Sequence, residues 1–394
     1  RLQGDWSSDV CSSDLFDRLR AQARLQLHKR ETGKDRVETI ARAVGRGFDR
    51  LPKPDPGDIF FDMEGDPLAE GGLEYLFGLV HLERGKPQFT AFWGHDDAGE
   101  KKAFEDTIDF IVARLKRHPG ARVYHYAAYE ATAFGELSTK HGTREAAVDT
   151  LLREGRLVDL YKVVREGIRV SEPRYSIKNL ETFYWKGKRE GEVTNAGDSI
   201  VIYEKWRKLG DPALLEEIRK YNETDCLSTL ACRDWLLKLR PDDAEWFERP
   251  NQSEKDAEKA DKALEAEQRT QAILQRLTAK ARPADFAWRE TLAFLLEFHY
   301  RAIKPDLWMK YERQKFDEEA LIEDADCLGA IRRDKKVRPR PEKRSLVYSF
   351  TFPLQDTKLR VGDSPLRPDT LETVGEILLL DEKLGSLEIG RAHV

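Results

Sequence analysis

Asp62 and Glu64 close a short apolar run, IFFDMEGDP, and their alternate spacing is a chemical signal. Side chains two apart in a strand share a face, so Phe60, Asp62 and Glu64 point one way while Ile59, Phe61 and Met63 point the other. Two carboxylates leaving one face together repel, and each tends to take up a proton unless a cation sits between them. A divalent metal meets that need; the other reading is that the acids open a solvated turn with Asp66 and Pro67. A second group lies in KYNETDC, where Tyr221 and Asp225 stand one helical turn apart on one face. Ile218, Leu227, Leu230 and Trp235 predict that this helix packs on a sheet, so an acid among them needs a partner. Glu130, in YHYAAYEATAFGEL, falls just past a strand end at a helix start, where the dipole favours an acid and the same cleft is within reach. Asp159, in RLVDLYKV, is a further acid inside an apolar run and a candidate supporting partner. Tyr175, Lys178, Tyr184, Trp185, Lys186 and Lys188 either hold a nucleic-acid strand by phosphate contact and stacking, or are core aromatics with lysines reaching over them.

These residues need elements to carry them. IFFDMEGDP, EYLFGLVHL and QFTAFWG read as three neighbouring strands, the last two a hairpin around ERGKP. Phe104, Ile108, Ile111, Val112 and Leu115 have helical spacing, and HPG ends that helix. ARVYHYAAYEATAFGEL reads as a strand running into a helix, RLVDLYKVV as a strand, YSIKNLETFY as a short helix, and PALLEEIRKYNETDCLSTLACRDWLLKL as a long half-buried one. Strands alternating with helices predict an α/β fold with a mixed sheet flanked by helices. Residues 16–56 read as a charged helical connector ending in proline and glycine punctuation, and 57–240 as the principal domain. Residues 250–345 form a helical, charged region with a basic run from Arg332 to Arg344. Residues 346–387 form a small β unit, with SLVYSFTFPLQDTKLRVGD supplying two short strands.

With 394 residues, 40% hydrophobic and 35% charged, and a net charge of -5, the chain has room for two or three domains and no bulk attraction for polyanions. Any nucleic-acid contact is then local. There is no run of about 18 apolar residues and no signal-peptide pattern, so a cytoplasmic protein without a membrane span is expected. The cysteines lack metal-ligand spacing and read as buried thiols. The two ends carry a different signal. DVCSSDL (Asp9 to Leu15) can be encoded so that its reverse complement translates as EIGRAHV, which is the sequence from Glu388 to Val394. Residues 1–15 and 388–394 are therefore expected to derive from a sequencing adapter read in both orientations, within a protein longer at both ends. Cys11 and His393 drop out as functional candidates.

The order DxE, Glu130, then YxxxD on these elements resembles the DEDD family of 3′-5′ exonucleases with an RNase H-like fold, in its tyrosine-bearing subtype. FFDMEGDP, LEYLFGLV, VYHYAAYE, VDLYKVV, YSIKNLE and YNETDC are together similar to the YprB-type RNase H-like domain of RecB-like nuclease and helicase proteins. The resemblance runs from about Gly57 to Leu239, and its continuation through LLEFHYRAIKPDLWMKYER implies fusion to a helicase. It implies that Asp62, Glu64, Glu130 and Asp225 hold two Mg²⁺ or Mn²⁺ ions, oxygen ligands suiting those metals. Tyr221 then positions the attacking water, and the substrate is a single-stranded or frayed nucleic acid, DNA or RNA. Most DEDD members have Asp where this chain has Glu130. A different class of answer is a catalytically silent nucleic-acid-binding module that guides substrate between a nuclease and a helicase.

Overall fold

The computed structural model describes residues 9–187, 196–248, 282–295, 318–342 and 345–390, with scattered positions between 269 and 316. It divides into two compact units, Arg1–Leu296 and Glu297–Val394. The first opens with α1 (Asp9–Thr32) and β1 (Val37–Thr39), then runs through β2 (Ile59–Asp66), β3 (Leu73–Glu83), β4 (Lys86–Trp93), α2 (Asp97–Arg117), β5 (Val123–His125), α3 (Tyr129–His141), α4 (Glu145–Arg153) and β6 (Leu157–Asp159). It continues with α5 (Leu160–Gly167), β7 (Ile168–Val170), α6 (Ile177–Tyr184), α7 (Ala196–Leu209), α8 (Pro212–Leu239) and α9 (Phe286–Leu295).

A five-stranded mixed sheet in the order β4-β3-β2-β5-β6 organises this unit. β2 pairs antiparallel with β3 and parallel with β5, so the strand carrying the DxE pair lies at the centre. The period of two sorts its faces as the sequence predicts. Ile59, Phe61 and Met63 pack with Phe104, Ile108 and Phe134 from α2 and α3, whereas Phe60 packs with Val80, Tyr124, Cys226 and Leu236 on the α8 side. Arg233 of α8 joins this second face to the base of the sheet: its guanidinium lies 2.7 Å from Asp58 and 4.8 Å from the Phe60 ring centroid, with both charged side chains buried. α1 and β1 are tied to the same unit. β1 pairs antiparallel with β7, and Gln22 Nε2 donates to the Val170 carbonyl at 2.8 Å.

Two local expectations change. RLVDLYKVV is a strand only as far as Asp159; there the chain turns into α5, because the Asp159 carboxylate accepts from the Tyr161 amide at 2.9 Å and caps the helix. α7 has no counterpart in the sequence reading, since SIVIY is a β-branched run whose helical face shows only through the burial of Ser199, Ile202 and Tyr203.

The second unit contains α10 (Glu318–Glu323), β8 (Arg332–Arg333), β9 (Arg340–Glu342), β10 (Ser345–Thr351), β11 (Glu376–Asp381) and β12 (Ser386–Gly390). Its strands form an antiparallel sheet, β11-β12-β10-β8 with β9 on β10, over a core of Phe352, Ile377, Leu387 and Ile389. The expected second strand at TKLRVGD is instead irregular, and EILLLD and SLEIG supply the pairing. The basic run falls on β8, β9 and their connection as far as Glu342, its last two residues lying outside the described ones. Of the helical, charged region expected over residues 250–345, residues 250–281 lie mostly outside the described ones. Of the two terminal segments, Asp9–Leu15 falls within α1 and Glu388–Gly390 within β12, the remainder lying outside the described residues. No helix among the described residues is long and apolar enough to cross a membrane.

Candidate metal centre

β2 delivers Asp62 and Glu64 side by side at its C-terminal end, and the register with β3 shifts immediately after Glu64. α8 crosses that end of the sheet and presents Tyr221, Asn222 and Asp225 on one face, all buried. The result is a cluster of carboxylates: oxygens of Asp62, Glu64 and Asp225 all lie within 4.8 Å of one another. Burial and mutual repulsion dominate its electrostatics. Burial, then the charge of Asp225, pushes Glu64 up to about 8, with hydrogen bonds from Ser199 and Asn222 pulling the other way. Asp62 is driven well above the usual carboxylate range by burial and by the charges of Asp225, Glu64 and Glu130. Converging oxygen donors that resist ionising together are what a hard divalent cation relieves, and the donor set fits Mg²⁺ or Mn²⁺.

Glu130 stands at the first turn of α3 and is close enough to raise the pKa of Asp62, but it lies outside the three-carboxylate group. Its Oε2 is 3.4 Å from His125 Nδ1, both side chains being almost wholly buried. Burial pulls the His125 imidazole down, but the carboxylates of Glu130 and Asp159 outweigh it and hold its pKa above the ordinary value. Asp159 serves the turn between them. Its Oδ1 accepts from the Ala127 amide at 2.9 Å as well as from Tyr161, fixing Ala127 at φ 80, a left-handed conformation.

Lys178 comes to the cluster itself. Its ammonium donates to the Tyr221 hydroxyl at 2.6 Å, lies 4.7 Å from that ring's centroid, and lowers the pKa of both Asp62 and Glu64. The rest of the basic and aromatic group is placed differently. Tyr175 donates to Gln22 Oε1 at 2.8 Å and lies under the Arg165 guanidinium, which ties α1 to the domain. Tyr184 bonds Ser228 and packs on Trp235. Lys186 is exposed, and Lys188 lies outside the described residues.

Three further residues belong to the site without having been singled out from sequence. Asn222 Nδ2 donates to Asp62 Oδ2 at 2.9 Å. Ser199 bonds the Tyr75 hydroxyl at 2.6 Å and also Glu64. His125 Nδ1 donates to the Ala127 carbonyl at 2.7 Å beside Glu130, whose Oε2 is buried without a hydrogen-bond partner. Only Asn222 carried a readable signal, three residues before Asp225 and hence on the same helical face. A second acidic group, Asp97, Glu100 and His141, has a different character. The buried Glu100 accepts from the Glu74 amide, from Lys140 and from His141 at 2.5–2.7 Å, so its oxygens are committed to an ion-pair knot between α2 and α3.

A central mixed sheet flanked by helices, with acids gathered at the end of its middle strand, defines an RNase H-like domain. In agreement, the family model for the RNase H superfamily matches residues 59–237. No curated protein and no solved structure matches the chain.

Proposed function

We propose that residues 59–237 are a metal-dependent nuclease domain that hydrolyses phosphodiester bonds in DNA or RNA, acting as a 3′-5′ exonuclease on single-stranded or frayed ends. The observation that carries this reading is the convergence of Asp62, Glu64 and Asp225, from opposite ends of the domain sequence, on one point. These three residues would hold the divalent ion, Mg²⁺ or Mn²⁺, which supplies Lewis acidity and makes water a nucleophile at neutral pH. The chain's own groups do the rest. Tyr221, on the face of α8 that carries Asp225, is set to orient the attacking water. Lys178 fixes the Tyr221 hydroxyl: an ammonium has no acceptor, so the phenol oxygen must accept and its hydrogen is directed elsewhere. Asn222 and Ser199 hold the two strand carboxylates from the side. In this reading the substrate is an end of the kind that a fused helicase would present.

The test is digestion of 3′-labelled and 5′-labelled single strands, DNA and RNA in parallel, with Mg²⁺, Mn²⁺ or EDTA. Metal-dependent loss beginning at the 3′ end, absent in Asp225→Asn, is the expected result; equal loss in that variant defeats the proposal. A silent guiding module is the second reading, favoured by the position of Glu130 outside the three-carboxylate group, and it predicts strand binding without turnover.

A further inference from the structure

The basic run is the stretch whose charge departs furthest from that of the whole chain. Eight lysines and arginines and two acids lie between Arg332 and Arg344, in a chain of net charge -5. In the second unit this run is built onto a sheet edge. β8 pairs with Phe350 and Thr351, and β9 with Ser345, Leu346 and Val347, along one edge of β10. Residues 334–339 therefore arch outward where β10 offers only Tyr348 and Ser349 opposite them. Hydrogen bonds give the arch a definite shape. The Asp334 amide donates to the Ser349 carbonyl at 2.9 Å, the Lys336 amide to Asp334 Oδ1 at 2.8 Å, and the Val337 amide to the Asp334 carbonyl at 3.3 Å.

The cations of the run divide into two groups. Arg332 and Arg340, on the strands, are paired with Glu318 and Glu388, and Arg333 lies 4.8 Å from the Tyr348 ring centroid. Lys335, Lys336 and Arg338, on the arch, are exposed, and no carboxylate among the described residues forms an ion pair with any of them. The acid beside them, Asp334, turns its carboxylate to a backbone amide. Three like charges held this close repel one another, and a polyanion laid across the arch relieves that repulsion.

We infer that the arch of Lys335, Lys336 and Arg338 is a contact for the phosphate backbone of a nucleic-acid single strand, DNA or RNA. The second unit then holds the strand by charge, without reading its bases, while the RNase H-like unit acts on it. The inference leans on the nuclease reading only for the choice of nucleic acid over other polyanions. Each phosphate neutralised on a single strand adds about 0.7 to the slope of log affinity against log salt, so three contacts add about 2.

Fluorescence anisotropy of the full chain with dye-labelled oligothymidylate or oligouridylate, in EDTA over a range of NaCl concentrations, reads that slope. The combined variant Lys335→Gln, Lys336→Gln, Arg338→Gln should bind both strands about tenfold or more weakly at low salt, with a slope shallower by about 2. The combination Lys335→Arg, Lys336→Arg, Arg338→Lys keeps the charges and should bind as the wild type does. Metal-dependent cleavage of a dinucleotide, which offers too little backbone for a second contact, should be equal in all three proteins. Unchanged strand affinity and slope in the glutamine variant overturns the inference. If that variant instead loses binding to phosphatidylserine vesicles while keeping its affinity for the strands, the arch is a membrane contact and the inference falls. Failure of the nuclease reading has another signature: no dinucleotide cleavage in any of the three proteins, with the salt-dependent loss of strand binding still present.

Discussion

Three carboxylates held within 4.8 Å of one another store repulsion, and that makes the protein's stability depend on pH and metal. Glu64 has its pKa raised to about 8 and Asp62 is raised further than an exposed acid. Between the ordinary carboxylate pKa and about 8, the folded metal-free protein therefore binds more protons than the unfolded chain. Stability is then greatest below that window and falls as pH rises through it. Melting temperature in EDTA should decline from about pH 5 to about pH 8, and saturating Mn²⁺ should abolish the decline. Asp225→Asn should raise the melting temperature in EDTA at pH 8 and lose most of the Mn²⁺-induced rise; scanning calorimetry reads both. At this scale much was legible. The period of two alone put Asp62 and Glu64 on one face, and the helical period put Tyr221 and Asp225 on another. Lys178 was not legible as a neighbour of Tyr221, because its direction depends on how α6 docks against α8, a tertiary fact with no local pattern.

Close approach between elements explains why certain small residues stand where they do. Gly78, opposite Asp62 in the register of β2 and β3, leaves the space that Asn222 occupies. Gly78→Ala should cost about 1–3 kcal/mol in denaturant unfolding, an overpacking penalty. Combining it with Asn222→Ala should recover part of that loss, the remainder reflecting Phe89, whose ring carbon lies 2.9 Å from the added Cβ. Ala127 is the opposite case, a residue with a side chain at φ 80. Ala127→Gly should stabilise the protein by about 1 kcal/mol, the cost of holding a non-glycine residue in the left-handed region. Asp159→Ala should destabilise it by about 1–3 kcal/mol, since two amide donors lose their acceptor. The same residue shows where sequence reading stops. Beyond the supporting place expected of it, Asp159 also marks a switch from strand to helix that neither periodicity reveals over so few residues.

Across the whole RNase H-like unit, the sheet and α8 depend on one buried ion pair. Arg233 and Asp58 are 5% and 1% exposed, and Arg233 also lies over Phe60 and Tyr124. Arg233→Met should cost about 3–5 kcal/mol by stranding a buried carboxylate, and the double variant Arg233→Met with Asp58→Asn should cost less than the single one. The architecture of this unit was legible because its strands and long helices each repeat a clear period. The second predicted strand of the small β unit was misplaced, because Leu359 and Val361 in TKLRVGD alternate as a half-buried strand would, and only long-range pairing gives the place to EILLLD.

The contact between Asn222 and Asp62 spans 160 positions of sequence, nearly the whole matched domain. During synthesis or refolding, therefore, no partial chain holds the complete ligand set until α8 has been made and has found the sheet. Mn²⁺ should slow unfolding while leaving the refolding rate almost unchanged, because the ion gains its full set of ligands only after the slow step has passed. Ion capture in this domain marks the end of folding: it records that the first strand and the last helix have met.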